Sequence, residues 1–322
     1  MRPVLPSLLL VLALPAVASA DVNDLVLGRL TNATTTGGMT RYVPQNSELR
    51  GLASELGVVL APHLLTPADT LGFGGFQLTV DVSTTQINPD APYWRARQAD
   101  TGDGSAAVPG TLGTVGFFAR KGLWFPIPSF EVGAGAVHLV DSRVWTGQLY
   151  AKFALVEGFH DLPLPSVAVR GGVSRMMTQH ELDLTVASLD VAASKHLGIG
   201  GTWRLDPFVG YNLLVVIPRS EVIDPTPNVD QLVPGNEMDS QSSFVFREQD
   251  NIYRHRIFFG AKAQFSLIEL TLEATFALAG HSTDNQSGTS EPCTSASTSA
   301  LCDAKDSAHA QRTLSLSAGV DF

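Results

Sequence analysis

Residues 313–322 read Thr-Leu-Ser-Leu-Ser-Ala-Gly-Val-Asp-Phe, a regular alternation of apolar and small or polar side chains. Successive side chains of a β-strand point to opposite faces, so this period of two predicts a strand with one apolar face. That face carries Leu314, Leu316, Ala318, Val320 and Phe322. The alternation runs longer than the ~5–6 residues of an ordinary strand and matches the ~9–11 residues of a tilted membrane-crossing strand.

The same alternation recurs along the chain. We interpret ten segments in this way: 72–86, 112–121, 128–140, 143–157, 164–177, 181–194, 200–216, 251–265, 267–280 and 311–322. The connections 87–110, 217–250 and 281–310 are long and polar, and each joins an odd strand to the next even one. All three therefore lie on one side of an antiparallel sheet. The predicted fold is a single antiparallel transmembrane β-barrel of about ten strands, with twelve as the alternative.

Two turns make the pairing specific. A hairpin loop at Asp141-Ser142 would place Phe130 opposite Phe153 and Glu131 opposite Lys152. A turn centred on Ser266-Leu267 would place Phe265 and Phe276 on one face.

Two positions do not fit a regular ladder. In 181–194 the apolar side chains are at even positions up to Val186 and at odd positions from Leu189, which predicts a bulge near Ala187-Ser188. Pro207 interrupts another strand, and a second bulge is the expectation there.

Composition narrows the class of protein. The chain has 322 residues, a net charge of −10 and 16% charged residues, which argues against nucleic-acid binding and against disorder. Met1-Arg2, the apolar run from Leu8 to Leu14 and the sequence Ala18-Ser19-Ala20 predict a signal peptide over residues 1–20. The predicted domains are therefore this leader, an N-terminal segment at 21–70 and a barrel at 71–322.

The segment 21–70 contains a helical stripe. Leu49, Leu52, Leu56 and Val59 recur at helical spacing, and Pro62 and Pro67 limit the helix. A plug inside the lumen is one interpretation of the segment. A periplasmic tail and an additional strand are the alternatives.

The alternation also predicts which charges face the lumen. The principal lumen-lining candidates are Arg120, Glu131, Lys152, Arg170, Arg254, Arg256, Lys262, Glu269 and Glu273. Further inward candidates are Asp81, Asp183, Arg204, Asp206 and Asp321. These charges could select polar solutes along a path, or they could pair with one another and fill a barrel of this size.

Other chemistry finds little support. In an exported chain Cys293 and Cys302 predict a disulfide in the last long loop. The eight histidines are scattered, a His-x-Ser pair is absent from the sequence, and neither a metal nor a cofactor is expected. We therefore do not expect an enzyme.

The terminal Phe322 on an amphipathic last strand, together with the leader, resembles Gram-negative outer-membrane β-barrel proteins. The resemblance implies an outer-membrane location, contact with outer-membrane lipid, and recognition of Phe322 by the barrel-assembly machinery. The stretch Leu56–Val82 resembles the hatch region of long-chain fatty-acid channels, although those channels have more strands than this chain can supply. The expected function is a channel or passive transporter of small solutes with a charged lumen. A structural or surface-display barrel acting through its loops is the alternative.

Overall fold

The computed structural model describes the chain in eight ranges: 21–36, 39–63, 65–97, 109–125, 129–157, 164–224, 243–285 and 302–322. The predicted signal peptide lies outside the described residues and stays a prediction.

Ten long strands form a closed antiparallel barrel, which confirms the predicted fold and its strand count. In chain order they are β3 (Phe76–Gln86), β4 (Thr111–Leu123), β5 (Phe130–Leu139), β6 (Trp145–Val156), β7 (Ser166–Met176), β8 (Leu182–Ser194), β10 (Trp203–Ser220), β11 (Ile252–Phe265), β12 (Ile268–Ala277) and β15 (Gln311–Asp321). Neighbours in sequence pair throughout, and β15 pairs with β3 to close the ring. The alternative of twelve strands is wrong.

Shorter elements complete the described chain. The N-terminal part contains β1 (Thr31–Thr36), β2 (Met39–Pro44) and α1 (Asn46–Val59). The others are β9 (Leu197–Ile199), which pairs with the start of β10, and β13 (Thr283–Asp284), which pairs with β14 (Ala304–Lys305). Because the barrel is antiparallel, the connections after β3, β10 and β12 lie at one end. We call that end the loop end and the opposite end the short-turn end.

Both predicted hairpin registers are confirmed. Phe130 pairs with Phe153 and Glu131 with Lys152 across β5 and β6, while Phe265 pairs with Ile268 across β11 and β12. The β11–β12 register follows from the two-residue turn Ser266-Leu267, because loop length sets the pairing of a hairpin. The turn around Asp141-Ser142 is longer, since the β5–β6 ladder ends at the pair His138–Trp145.

The predicted bulge in β8 is wrong. Its registers to β7 and β10 are unbroken, and the even residues Leu182, Leu184 and Val186 all face the interior. The apolar side chains change parity because the interior itself changes. The barrel interior is apolar near the loop end and polar toward the short-turn end. In the polar half, the apolar side chains of β8 face outward, as Leu189 does at 54% exposure.

Pro207 lies in a continuous stretch of β10, so the bulge expected there is also absent on the β11 side. On the other side the ladder is interrupted between β8 and β9. There Lys195 N–H donates to the Pro207 carbonyl at 3.1 Å. A hydrogen-bonded antiparallel pair normally exchanges two bonds, and proline cannot return the second. The gap in the ladder therefore lies where the missing N–H would be.

The outer face of the barrel is an apolar belt bounded by aromatic side chains. Exposed outward residues include Val80, Phe117, Leu149, Ile257, Phe259, Leu272, Leu314 and Leu316. Trp124, Trp203, Phe265 and Phe322 are exposed toward the short-turn end, and Trp145 and Tyr253 toward the loop end. From Tyr253 to Phe265 the strand spans about 40 Å, or about 30 Å vertically at a typical barrel tilt. No helix within the described ranges is long and apolar enough to cross a membrane.

Candidate functional site in the barrel lumen

Helix α1 occupies the loop-end half of the barrel interior. Leu49, Leu52 and Leu56 are at most 1% exposed and belong to one apolar cluster with inward side chains of β8, β10 and β11. Gly57 lies so close to Val216 that a Cβ there would approach its methyl group to 2.5 Å. The helical stripe in the sequence is therefore buried against the barrel wall.

The polar face of α1 binds the long connections. Glu55, fully buried, accepts hydrogen bonds from Tyr93 Oη at 2.6 Å, Trp94 Nε1 at 2.7 Å and His309 N at 3.0 Å. Burial, followed by the Glu55 carboxylate, raises the pKa of Tyr93, so its hydroxyl remains a donor. Through Glu55, the helix holds parts of the first and third long connections.

A second set of contacts reaches the remaining long connection. Arg50 is fully buried and donates to the Asp250 carbonyl at 2.8 Å and to Ser282 Oγ at 2.9 Å. Ser54 Oγ donates to Asp306 at 2.7 Å and accepts from Arg254 at 2.8 Å. All three long connections are thus anchored on one helix.

Below α1 the chain runs through the lumen to the start of β3. We call residues 60–75 the lumen segment; residue 64 is outside the description. Its contacts are polar: Arg170 donates to Thr66 Oγ1 at 2.9 Å, Lys152 Nζ donates to the Asp69 carbonyl at 2.8 Å, and Leu71 N–H donates to Glu131 at 3.1 Å. The wall therefore holds this segment by hydrogen bonds along much of its length.

The structure places all nine principal lumen candidates in the interior, and none is more than 5% exposed. Three pairs are close: Lys262–Glu269 at 2.7 Å, Arg170–Asp190 at 3.0 Å and Lys152–Glu131 at 3.1 Å. Buried charges need such partners, because an unpaired charge in a dry interior is costly. The idea that these residues line a solute path stays a prediction.

The other candidates take different positions. Arg120 donates to Gln77 at 2.8 Å and lies 3.8 Å from Asp81. Arg256 donates to Asn212 at 2.9 Å, and Thr275 donates to Glu273 at 3.0 Å. Arg254 donates to the Leu278 carbonyl near α1 and belongs to the loop end instead.

Asp183 was expected to face the lumen, and this is wrong. It lies on the outward face of β8 and pairs with the exposed Arg175 at 3.0 Å. The error has the same origin as the predicted bulge, since both assumed that the even residues of β8 point to lipid.

Sequence reasoning missed one cluster near the short-turn end. His196 lies between Asp206 at 2.5 Å and Asp69 of the lumen segment at 3.3 Å, and Arg204 lies 2.6 Å from Asp69. Asp69, His196 and Asp206 could supply metal ligands by type. The guanidinium of Arg204 already contacts both carboxylates, so the arrangement is a charge-balanced ion-pair network. The alternation placed Arg204 and Asp206 inward, but no local signal indicated Asp69 or His196.

The cluster predicts a pH-dependent stability. Hydrogen bonds to Asp206 and then to Asp69 raise the pKa of His196 from 6.5 to about 9. The protonated form is therefore favoured by folding, and its stabilisation is full below pH 6.5 and lost as pH rises through about 9. The loss should be about 1–3 kcal/mol. It should appear in denaturant titrations of detergent-solubilised protein between pH 6 and pH 10.

The matched control is His196→Gln, which cannot titrate. The difference in unfolding free energy between the wild type and this variant should shrink as pH rises. A difference that stays constant from pH 6 to pH 10 would contradict the assigned role of His196.

Two small cavities lie between the lumen segment and the wall in the part of the chain that the structure describes. One cavity of about 70 Å³ is bordered by Asp69, Glu131, Lys152 and Lys262. Another of about 20 Å³ lies beside Arg256 and Glu273. A water molecule occupies about 30 Å³ of liquid, so these spaces hold at most a few waters.

The predicted disulfide falls partly outside the described residues. Cys293 is not among them, and Cys302 is buried at 7% exposure. The pairing stays a prediction.

Fold and site together define a class: a closed ten-stranded antiparallel β-barrel whose interior is occupied by its own N-terminal segment. No family model and no curated protein matches the chain. Among solved structures, OmpT (in-vitro folded), an outer membrane protein of Vibrio cholerae, is 8% identical with a TM-score of 0.27, covering 66% of this chain and 56% of that one. Outer-membrane expressed OmpT of Vibrio cholerae is 8% identical with a TM-score of 0.24, covering 81% and 100% respectively. The assignment of the class therefore rests on the strand pairing described above.

Proposed function

We propose that this chain is a non-enzymatic outer-membrane β-barrel that is closed by residues 46–75 and acts through the surface at its loop end. The apolar belt and its aromatic borders support a membrane location, because such a surface would be costly in water. The leader, the contact with outer-membrane lipid and the recognition of Phe322 by the barrel-assembly machinery belong to the same proposal. Phe322 is 61% exposed beside Phe76, where the ends of β15 and β3 meet.

One observation carries this proposal: α1 is buried in the barrel as a hydrophobic core. Its leucines contribute to a cluster that also contains Leu214, Val216 and Ile252 of the wall. Each fully buried leucine stabilises such a core by about 1.5–3 kcal/mol. Displacing the helix would expose all of this surface at once, so the closed state is strongly favoured.

The test is conductance of the folded mature protein in a planar bilayer. We expect no stable steps from the wild type, because the interior is filled. A variant lacking residues 21–70 should give steps once its folded state is shown by heat-dependent electrophoretic mobility. A matched control lacking only residues 21–44 keeps α1 and the lumen segment, and it should remain silent. Stable steps from the wild type would contradict the closed barrel.

A gated channel for small solutes is the second candidate, and the polar character of the lumen segment favours it. Hydrogen bonds and ion pairs such as Arg204–Asp69 can be exchanged for water, whereas apolar packing cannot. A stimulus that moved residues 60–75 would leave charged groups along the wall. The nine lumen candidates would then line the path.

Two substitutions separate the candidates. Glu269 pairs with Lys262 and accepts from Gln77 at 2.5 Å, and Glu273 accepts from Thr275. In a closed barrel, the double variant Glu269→Gln and Glu273→Gln should lower the unfolding free energy by about 1–3 kcal/mol and leave the bilayer silent. In a gated channel the same variant should change ion selectivity whenever openings are recorded.

A further inference from the structure

A groove lies on the outer face of the barrel at the loop end, above the start of β15. Its volume is about 610 Å³. The exposed Ala310 borders it as a small outward side chain, Pro89 lies on the β3 side, and Phe276 and Leu278 lie on the β12 side. The groove therefore opens where the apolar belt meets the polar loops.

Arg312 lies at the belt side of this groove. It is exposed, and it pairs directly with Phe276 across β15 and β12. Among the described residues, neither a hydrogen bond nor an ion pair satisfies its guanidinium. Arg175, another exposed arginine near the loop end, is by contrast paired with Asp183. Arg312 differs from Arg219, which is also exposed at the loop end, because only Arg312 borders the groove.

The surroundings of Arg312 are amphipathic. The next outward side chain along β15, Leu314, is 58% exposed, and Phe276 is 39% exposed. On the opposite side, toward the loops, Asn88 lies 3.1 Å from His309 and offers polar groups. From the belt toward the loops, the groove therefore offers apolar side chains, then a cation, then polar groups. An anionic lipid presents its acyl chains, its phosphate and the polar end of its headgroup in the same order.

We propose that this groove binds the phosphate of an anionic lipid in the surrounding leaflet, with the guanidinium of Arg312 as its partner. The acyl chains lie along Leu314 and Phe276. A guanidinium presents paired N–H donors that match phosphate oxygens, and at the membrane interface a charge on the lipid face costs little. This inference rests on the proposed membrane location, but not on whether the lumen is closed.

The test uses the full-length mature protein in a neutral detergent, with bound lipid counted by native mass spectrometry. The probes are dihexanoyl phosphatidylglycerol, which is anionic, and dihexanoyl phosphatidylcholine, which is zwitterionic. We expect saturable binding of the anionic lipid and at least tenfold weaker binding of the zwitterionic one. Arg312→Gln should weaken binding of the anionic lipid about tenfold.

Two variants serve as controls. Arg219→Gln removes an exposed arginine at the loop end of β10, outside the groove, and should leave lipid binding unchanged. Ala310→Trp fills the groove without changing charge and should abolish binding even if Arg312→Gln folds poorly.

Equal binding of the anionic lipid by the wild type and Arg312→Gln, or by the wild type and Ala310→Trp, would overturn the site. Full competition by inorganic phosphate at the same concentration would show a free-anion site and overturn the lipid assignment. A protein that stays soluble without detergent would instead contradict the membrane location. Conductance by a wild type that still binds the lipid would contradict only the closed lumen.

Discussion

Replacing Glu55 by alanine is expected to lower the unfolding free energy by about 3–5 kcal/mol, because two buried side-chain donors and one backbone N–H lose their acceptor. Tyr93, Trp94 and the backbone N–H of His309 all point at this carboxylate, which is fully buried. Water does not reach the site easily, so the donors cannot find equivalent partners without movement of the connections. The loss should appear in denaturant titrations of the detergent-solubilised protein.

The same variant should loosen the first and third long connections. Hydrogen exchange of residues 92–96 and of His309 should accelerate, while exchange in the barrel strands should change little. This pattern would show that α1 positions the loop-end surface as well as filling the lumen.

Glu48→Ala is the matched control on the same helix. Glu48 pairs with Arg95 at 2.6 Å, but both side chains are partly exposed, so the pair should be worth only about 0–1 kcal/mol. If Glu48→Ala and Glu55→Ala cost the same, the buried carboxylate is not what holds the connections.

Leu52→Ala is expected to cost about 2–5 kcal/mol, the range found when a buried leucine leaves a cavity. Leu52 is fully buried at the centre of the apolar face of α1. The barrel wall around it is a closed ring of hydrogen-bonded strands, which limits how far the surroundings can collapse into the gap. Denaturant titration of the folded protein, followed by near-ultraviolet circular dichroism, measures the change.

Leu314→Ala tests the same substitution on the lipid-facing surface, where Leu314 is 58% exposed to the surrounding medium. Detergent or lipid can fill the space there, so only the smaller transfer contribution should remain. Equal costs for the two variants would indicate that α1 is not packed in the interior. The closed-barrel proposal would then lose its principal support.

Local pattern was enough to predict the barrel. Alternation identifies the strands, and turns centred on Asp141-Ser142 and Ser266-Leu267 set the registers that the structure confirms. Both signals depend only on neighbouring residues, because period and turn length are properties of a hairpin. The sequence also predicted the helix from its leucine stripe, and the structure confirms it at Asn46–Val59.

The interior could not be predicted in the same way. In β8 the apolar side chains change from even to odd positions, and this predicts a bulge if every inward position is assumed to be polar. The actual reason is that the inward residues near the loop end pack against α1. Likewise Asp69 and His196 are separated by more than a hundred residues and meet because the lumen segment crosses the barrel. The periodicity of the sequence cannot predict a contact between residues so far apart.

The sequence by itself therefore determined the strands, a strand number of about ten, the registers of two hairpins and the side chains of the regular strands that face outward. The tertiary structure alone decided that residues 46–75 lie inside the ring, which charges pair there, and which half of the lumen is apolar. The physical reason is that a barrel wall is built from contacts between chain neighbours. Which residues fill the lumen depends on packing and charge pairing between segments that are far apart in the chain.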